Sequence, residues 1–188
     1  MSTSAKPPYL GLLNAISLAE TSAGVYLRAW ADATNDADLA CTLRFVAARE
    51  TSHGDVFARR LNELGYEPRP KHDPAAEKRL AKLANPKIAD EDKIPSERDE
   101  PSDPFKDIRQ QLAEGVFDPL TANLLNWYIT EEYDSAARLR DAYACIRSKA
   151  AGQAPMLPSA DAEAIMACMT AGFARLEKSL EKLARAVK

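Results

Sequence analysis

The sequence predicts an all-α protein in which four long helices form a bundle. Apolar residues recur every three or four positions along four stretches of similar length, which is the spacing of one buried helix face. No stretch alternates apolar and polar residues in the way that a half-buried strand does. Each stretch has roughly 25 to 31 residues and is therefore about 40 Å long, so the four helices can lie side by side. With 188 residues, we expect one domain, residues 1–188, because two domains would each have a small core.

The first two predicted helices are joined by a very short turn. Helix one covers residues 9–34 and stops at a turn-forming Asn-Asp pair. Helix two covers residues 36–64 and ends before Gly65, which suits the left-handed conformation that often follows a helix. Because the turn is so short, the two helices are expected to be antiparallel neighbours.

A long connection rich in charge and proline follows, and we expect it to be a surface crossover over residues 65–104. Within it, residues 74–84 have the spacing of a short helix, and a second short helix is predicted at residues 105–113. A connection of this length can span the bundle, so the third long helix can start at either end. One long crossover is typical of ferritin-type bundles.

The third and fourth long helices both have a recognisable start. Asp118 and Pro119 form a cap and first turn for a helix over residues 119–149. The sequence GQAPMLPS then breaks the pattern, and a fourth helix is predicted over residues 159–187.

Composition excludes several classes of function. Basic and acidic residues number 25 and 28, for a net charge of −3, so there is no cationic surface for nucleic acid. No signal peptide begins the chain and no run of eighteen apolar residues occurs, so we expect a cytoplasmic protein that does not bind a membrane. The three cysteines are far apart, lack CxxC spacing, and are expected to be small core residues.

Several polar residues are predicted to point into the bundle. On a wheel of about 100° per residue, leucines and a phenylalanine lie within about 20° of Glu50 on both sides, and Glu20 is centred in the same way. His53 lies about 60° from Glu50 on the apolar side. Glu131 and Glu132 flank the apolar face of helix three, so one of them must face inward, and Glu132 is favoured.

Buried carboxylates of this kind need a partner. An isolated ionised carboxylate in a dry core is very costly, and three together also repel one another. Protons, basic side chains or a cation can neutralise them, but the arginines nearby fall off the apolar faces. Glu50 and His53, three residues apart, can reach the same ion. Carboxylate and imidazole donors together favour iron or manganese.

This pattern resembles the ferritin-like superfamily, the di-iron carboxylate bundles that include ferritins and rubrerythrins. The resemblance rests on Glu20 in helix one, the E-T-S-H of Glu50 and His53 in helix two, the long crossover, and Glu131 or Glu132 in helix three. It implies that Glu20 and His53 are terminal ligands of a first metal, that Glu50 bridges two metals and that Glu132 serves the second. It also implies a site that binds iron and activates dioxygen or peroxide, or oxidises iron for storage.

Helix four departs from that pattern. Many members carry a second Glu-x-x-His there, but the other histidine of this chain is His72, in the crossover. We therefore expect one good metal position and at best a weak second. Gly24 and Gly54, each four residues after an inward glutamate, leave room either for a ligand or for close packing of two helices.

The sequence thus leads to two hypotheses. The first is a metal-binding protein that holds one or two iron ions, or manganese, with oxidoreductase or metal-handling activity and catalytic residues still to be identified. The alternative is a catalytically silent bundle, in which the buried groups form a hydrogen-bond network and the protein acts through oligomerisation or partner binding. A homodimer is expected for such bundles.

Overall fold

The computed structural model describes residues 6–70, 72–95 and 103–152, and within these ranges the chain is helical, with no strand. The all-α class is therefore confirmed for this part of the chain. The helices are α1 Leu10–Ala33, α2 Ala37–Glu63, α3 Ala76–Leu83, α4 Asp90–Lys93, α5 Lys106–Ala113 and α6 Pro119–Ala150. They belong to one compact unit that ends at Ala151. The predicted fourth long helix, residues 159–187, lies outside the described residues.

The long helices begin and end at the predicted signals. The Asp36 carboxylate accepts a hydrogen bond from the Leu39 amide at the start of α2. Gly65 follows the end of α2 with φ 83°, a conformation that favours glycine. Asp118 caps α6 by accepting from two backbone amides, and Pro119 is the first helical residue.

The short helices differ slightly from the prediction. The Asp73 carboxylate accepts from the Ala75 amide and forms a turn there, so α3 begins at Ala76, two residues later than expected. The single turn α4 was not predicted. It is held by a tertiary contact, because the Trp30 indole donates to Asp90 at 2.7 Å.

The end of α2 lies beside the start of α6, and the start of α2 lies beside the end of α6, so the two helices are antiparallel. Arg60, near the end of α2, donates to Asp118 at the start of α6, at 2.9 Å. Lys149, near the end of α6, donates to Asp36 at the start of α2. The connection between α2 and α6 is long, as predicted, but it leaves and returns at the same end of the helices.

Two apolar clusters form the core, one toward each end of the long helices. One cluster contains Leu13, Phe57, Leu61 and Leu125, among others. The other contains Trp30, Leu39, Leu43 and Ile146. The middle turns of α1, α2 and α6 lie between these clusters, and that is where the predicted metal ligands lie.

Cys41 and Cys145 are exposed, so the prediction that the cysteines are core residues is wrong for these two. Both lie on faces of α2 and α6 that do not pack against another described helix, since Leu39, Leu43 and Ile146 occupy the packed faces. Cys168 lies outside the described residues.

Helix α1 is long and apolar enough, by length and composition alone, to cross a membrane. A helix that packs into a protein core passes the same test, and α1 buries Leu13, Ile16 and Trp30. The finding therefore does not decide the prediction of a cytoplasmic protein.

Candidate metal centre

Four of the predicted ligands meet between α1, α2 and α6. Glu20, Glu50, His53 and Glu132 each offer one donor atom, and these atoms all lie within 4.8 Å of one another. We call these four residues the Glu/His cluster. The first three are buried, and the side chain of Glu132 is 20% exposed.

Close packing of α1 against α2 brings Glu20 and Glu50 together. A Cβ on Gly54 would lie 3.0 Å from the Thr21 backbone nitrogen, and one on Gly24 would lie 3.0 Å from the Ala47 carbonyl oxygen. The Ser17 hydroxyl also donates to the Gly54 carbonyl at 2.9 Å. Both glycines therefore allow close helix packing, and neither faces a space for a ligand.

The contact between α1 and α2 has a local two-fold relation, in which each helix contributes the same short sequence pattern. Residues 20–24 read ETSAG and residues 50–54 read ETSHG. Gly24 packs against Thr51, and Gly54 packs in the same way against Thr21. This repeat is a signal that sequence reasoning missed. It places the two glutamates at equivalent positions, and it makes Ala23 the counterpart of His53.

His53 is fully buried, and its Nδ1 atom faces the carboxylates. Nδ1 lies 3.2 Å from Glu132 Oε1, 3.8 Å from Glu50 Oε2 and 4.0 Å from Glu20 Oε2. In the described part of the chain, neither His53 Nδ1 nor Glu132 Oε1 has a partner with hydrogen-bond geometry. Unpartnered buried polar atoms are rare in native proteins, and an unfilled ligand position is one physical reason for them.

Glu131 lies on the other side of the imidazole and is not part of the cluster. Its Oε2 is 2.9 Å from His53 Nε2 and 3.7 Å from Arg49 Nε. Arg49 is fixed in turn by Asp134, 2.8 Å away. When Nε2 carries the proton and donates it to Glu131, Nδ1 presents its lone pair to the cluster. A carboxylate that holds the far side of a metal-binding histidine in this way is common.

Two aromatic side chains of α6 contact the Glu/His cluster. The Tyr128 hydroxyl donates to Glu20 Oε1 at 2.7 Å. The His53 ring meets the rings of Trp127 and Tyr128 edge to face, with centroids 4.9 and 5.1 Å apart. These contacts restrict rotation of the imidazole. Tyr128 therefore donates to the site and also belongs to the apolar core.

The carboxylates of the cluster differ in their affinity for protons. Burial raises the pKa of Glu20 to about 9, and hydrogen bonding with Glu50 adds to the shift. Burial also opposes ionisation of Glu50, but the nearby His53 and Glu20 outweigh it and leave the pKa of Glu50 below its ordinary value. Burial raises the pKa of Glu132 despite the nearby His53. Without a metal, Glu20 is therefore protonated at neutral pH.

The two remaining groups hold their protons firmly. Burial opposes charging of His53, but the carboxylates around the ring, that of Glu132 above all, outweigh it and raise the pKa to about 10. Burial and the neighbouring Glu20 raise the pKa of the Tyr128 hydroxyl, which stays protonated. A bound cation would have to displace the protons on His53 and Glu20.

The donor set fits a divalent transition metal. Two donors on one ion, each about 2.1 Å from it, lie at most about 4.2 Å apart. The atoms of the Glu/His cluster, all within 4.8 Å of one another, need to approach by only about 0.6 Å. Three carboxylates and one imidazole form a hard-to-borderline set that suits iron and manganese.

Comparison of the chain with protein-family models, with curated proteins and with solved structures finds no match in any of the three.

Proposed function

We propose that this protein binds a divalent transition metal, iron or manganese, through Glu20, Glu50, His53 and Glu132. The proposed setting is a ferritin-like four-helix bundle, the fold class that the sequence predicts. Oxidoreductase or metal-handling activity at this site is part of the proposal. Three long helices support the bundle: α1, α2 and α6 have 24, 27 and 32 residues, and α2 is antiparallel to α6. The connection between α2 and α6 leaves and returns at the same end, which differs from a crossover that spans the bundle.

One observation carries the proposal: Nδ1 of a fully buried imidazole faces three carboxylates at 3.2, 3.8 and 4.0 Å, and among the described residues it has no partner with hydrogen-bond geometry. A hydrogen-bond network formed for stability would be expected to satisfy that atom, because an unsatisfied buried donor or acceptor costs about 1–3 kcal/mol. A cation at this position satisfies it. The far side of the ring is already held by Glu131, as in many metal-binding histidines.

When bound, iron would supply one-electron chemistry, and manganese would supply a Lewis acid. The residues of the chain have separate roles around it. Glu50 is ionised before the metal arrives, because its pKa is low. Glu20 and His53 release protons as they become donors. Tyr128 orients Glu20 through its hydrogen bond, and Glu131 fixes the imidazole.

A second candidate is the metal-free network in a catalytically silent bundle. The observation that favours it is the proton balance: a protonated Glu20 and a charged His53 offset the ionised Glu50 without any cation. In that case the cluster only joins three helices, and function lies in oligomerisation or partner binding. The predicted homodimer and the cytoplasmic location stay predictions under both candidates.

The test is metal loading of the full chain. Protein purified without an affinity tag is incubated anaerobically with Fe(II) or Mn(II), dialysed, and analysed for metal content. We expect about one equivalent of metal per chain, since the single imidazole and the three carboxylates form one set of ligands. In His53→Ala we expect near-complete loss of the bound metal. The matched control is Asp55→Asn, an exposed acid two residues away on α2, which should load normally.

A wild-type chain that stays empty for both metals would overturn the proposal and favour the metal-free network. Equal loading of His53→Ala and the wild type would also overturn it, because the metal would then lie elsewhere. Circular dichroism of each variant shows whether the helices are intact, so that loss of metal is not confused with loss of fold.

A further inference from the structure

A shallow cavity, largely open to solvent, lies beside the Glu/His cluster. Its volume is about 340 Å³, at the lower end of the range for small-molecule sites. Glu20, Glu50 and Glu132 all contribute to its lining. The other walls are small or apolar side chains: Ala19, Ala23, Tyr26, Leu27 and Leu139.

The local two-fold relation between ETSAG and ETSHG explains why this side is open. His53 fills the position three residues after Glu50, whereas Ala23 holds the position three residues after Glu20. His53 is buried and offers Nδ1 to the cluster, and Ala23 borders the cavity with only a methyl group. The pair of helices therefore supplies an imidazole on one side and only a methyl group at the equivalent place on the other.

The charge of the cluster restricts what that molecule can be. A divalent ion carries two positive charges, and three ionised carboxylates carry three negative ones. An anionic ligand would add to an excess of negative charge in a partly buried site, where charges interact more strongly than in water. A neutral donor does not incur that repulsion, and the apolar walls suit a molecule with an apolar body.

We propose that the cavity beside Ala23 binds a small neutral molecule with one nitrogen or oxygen donor atom and an apolar body. The donor atom takes the place that lacks an imidazole in α1 and completes the coordination of the metal. This inference rests on the proposed function, because the cation is the group that the donor atom reaches. It names the ligand class of the site: neutral donors are accepted and small anions are disfavoured.

The experiment uses Co(II) as the metal, since its visible absorption reports changes in coordination. The Co(II)-loaded full chain is titrated with imidazole near pH 8, where the free base is the main form, and separately with azide, an anion of similar size. We expect imidazole to shift the spectrum and to bind at least about tenfold tighter than azide. Azide binding as tightly as imidazole would overturn the inference.

Two variants test the place of binding. Ala23→Leu fills the cavity and should weaken imidazole binding at least about tenfold, with Co(II) loading unchanged. Ala15→Leu, an exposed alanine on the same helix, is the matched control and should bind imidazole as the wild type does. Ala23→His should supply its own imidazole, shift the Co(II) spectrum without added ligand and prevent further binding.

The two proposals fail in different ways. If Co(II) does not load, the proposed metal site is wrong. If Co(II) loads but imidazole leaves the spectrum unchanged, or binds equally well to Ala23→Leu, the metal site stands and the ligand cavity is wrong.

Discussion

Carboxylates are partly or fully buried at two places between the long helices, and their surroundings differ in kind. At the end of the helices, Tyr9, Arg60 and Thr121 surround Asp118, and we call these four residues the Asp118 cap cluster. There, one carboxylate accepts hydrogen bonds from a phenol, a guanidinium, a hydroxyl and two backbone amides. In the Glu/His cluster, three carboxylates share one imidazole.

The difference separates a structural polar cluster from a candidate binding site. In the Asp118 cap cluster donors exceed acceptors, and hydrogen bonds with Thr121, Tyr9 and Arg60 overcome burial and hold the pKa of Asp118 well below its ordinary value. In the Glu/His cluster acceptors exceed donors, and burial raises the pKa of Glu20 to about 9. A protein gains nothing in stability from an excess of buried acceptors, so a ligand that supplies positive charge is the simplest reason for it.

The largest expected effect is on metal affinity in Glu50→Gln. Removing a direct ligand should cost roughly 1,000-fold or more, beyond the 10- to 100-fold typical of an outer partner. The metal-free variant should be about as stable as the wild type or somewhat less stable, because the folded chain favours the ionised form of Glu50. Calorimetric titration with Mn(II) and thermal unfolding with a chelator present measure the two quantities. A large loss of stability without loss of metal affinity would assign Glu50 to structure.

At the Asp118 cap cluster, a substitution is expected to lower stability and to leave metal affinity unchanged. Asp118→Ala removes the cap of α6 and one of the two carboxylate partners of Arg60, the other being Glu63, so the free energy of unfolding should fall by about 1–3 kcal/mol. Metal affinity should not change, because the Asp118 cap cluster lies at the end of the helices. Denaturant unfolding measures the loss, and Asp118→Asn, which keeps a capping oxygen, should recover part of it. An unchanged midpoint for Asp118→Ala would contradict this structural role.

A smaller loss of metal affinity is expected when Glu131, which contacts Nε2 of His53, is replaced. Glu131→Ala should weaken metal binding by about 10- to 100-fold, because the imidazole loses the acceptor for its Nε2 proton. Glu131→Gln offers an amide oxygen to the same proton and should restore part of the affinity. Glu131→Ala should also lower the stability of the metal-free chain by about 1–3 kcal/mol, because the buried Nε2 proton loses its acceptor. Glu131→Gln keeps an acceptor and should change the stability less. Equal affinity in all three proteins would show that Glu131 has no positioning role.

The last prediction, which has a distinctive sign, concerns how the stability of the metal-free chain depends on pH. The folded chain keeps the Glu20 proton up to about pH 9 and the His53 proton up to about pH 10, whereas the unfolded chain releases them near 4.5 and 6.5. The folded state thus binds more protons between these values, so stability falls as pH rises through this range. Chemical denaturation from pH 6 to pH 9 measures this slope.

Metal should reverse that trend, because its ligands must be deprotonated and binding strengthens as pH rises. In the Asp118 cap cluster, stability depends on pH with the opposite sign. The lowered pKa of Asp118 adds stability above the ordinary aspartate pKa, and that contribution is lost in acid. If the stability of the metal-free chain instead rose steadily from pH 6 to pH 9, Glu20 and His53 could not both be protonated in the folded state.

Much of the fold and of the site follows from local signals in the sequence. The starts of α2 and α6 depend on a carboxylate next to the first amides of each helix, and such caps are visible in sequence. The inward direction of Glu20 and Glu50 follows from the helical period. The four-residue α4 was not visible, because its stability depends on the distant contact between Asp90 and Trp30.

The roles of Glu131 and Glu132 could not be predicted from the wheel alone. Adjacent helical residues point about 100° apart, so the two carboxylates reach opposite sides of the His53 ring. Which one meets Nδ1 depends on the rotation of α6 against α2, a tertiary property. Arg49 was expected to lie off the apolar face, yet its long side chain reaches Glu131 and Asp134 across the helix interface.

Electron paramagnetic resonance of the Mn(II)-loaded chain, with and without ¹⁵N-labelled histidine, is the most direct test of the proposed metal site. If His53 Nδ1 is a ligand, the spin-echo spectrum should contain coupling to one histidine nitrogen. That coupling should change with the label and disappear in His53→Ala. Mn(II) that binds without coupling to a histidine nitrogen, or a coupling that persists in His53→Ala, would contradict ligation by His53 and with it the proposed site.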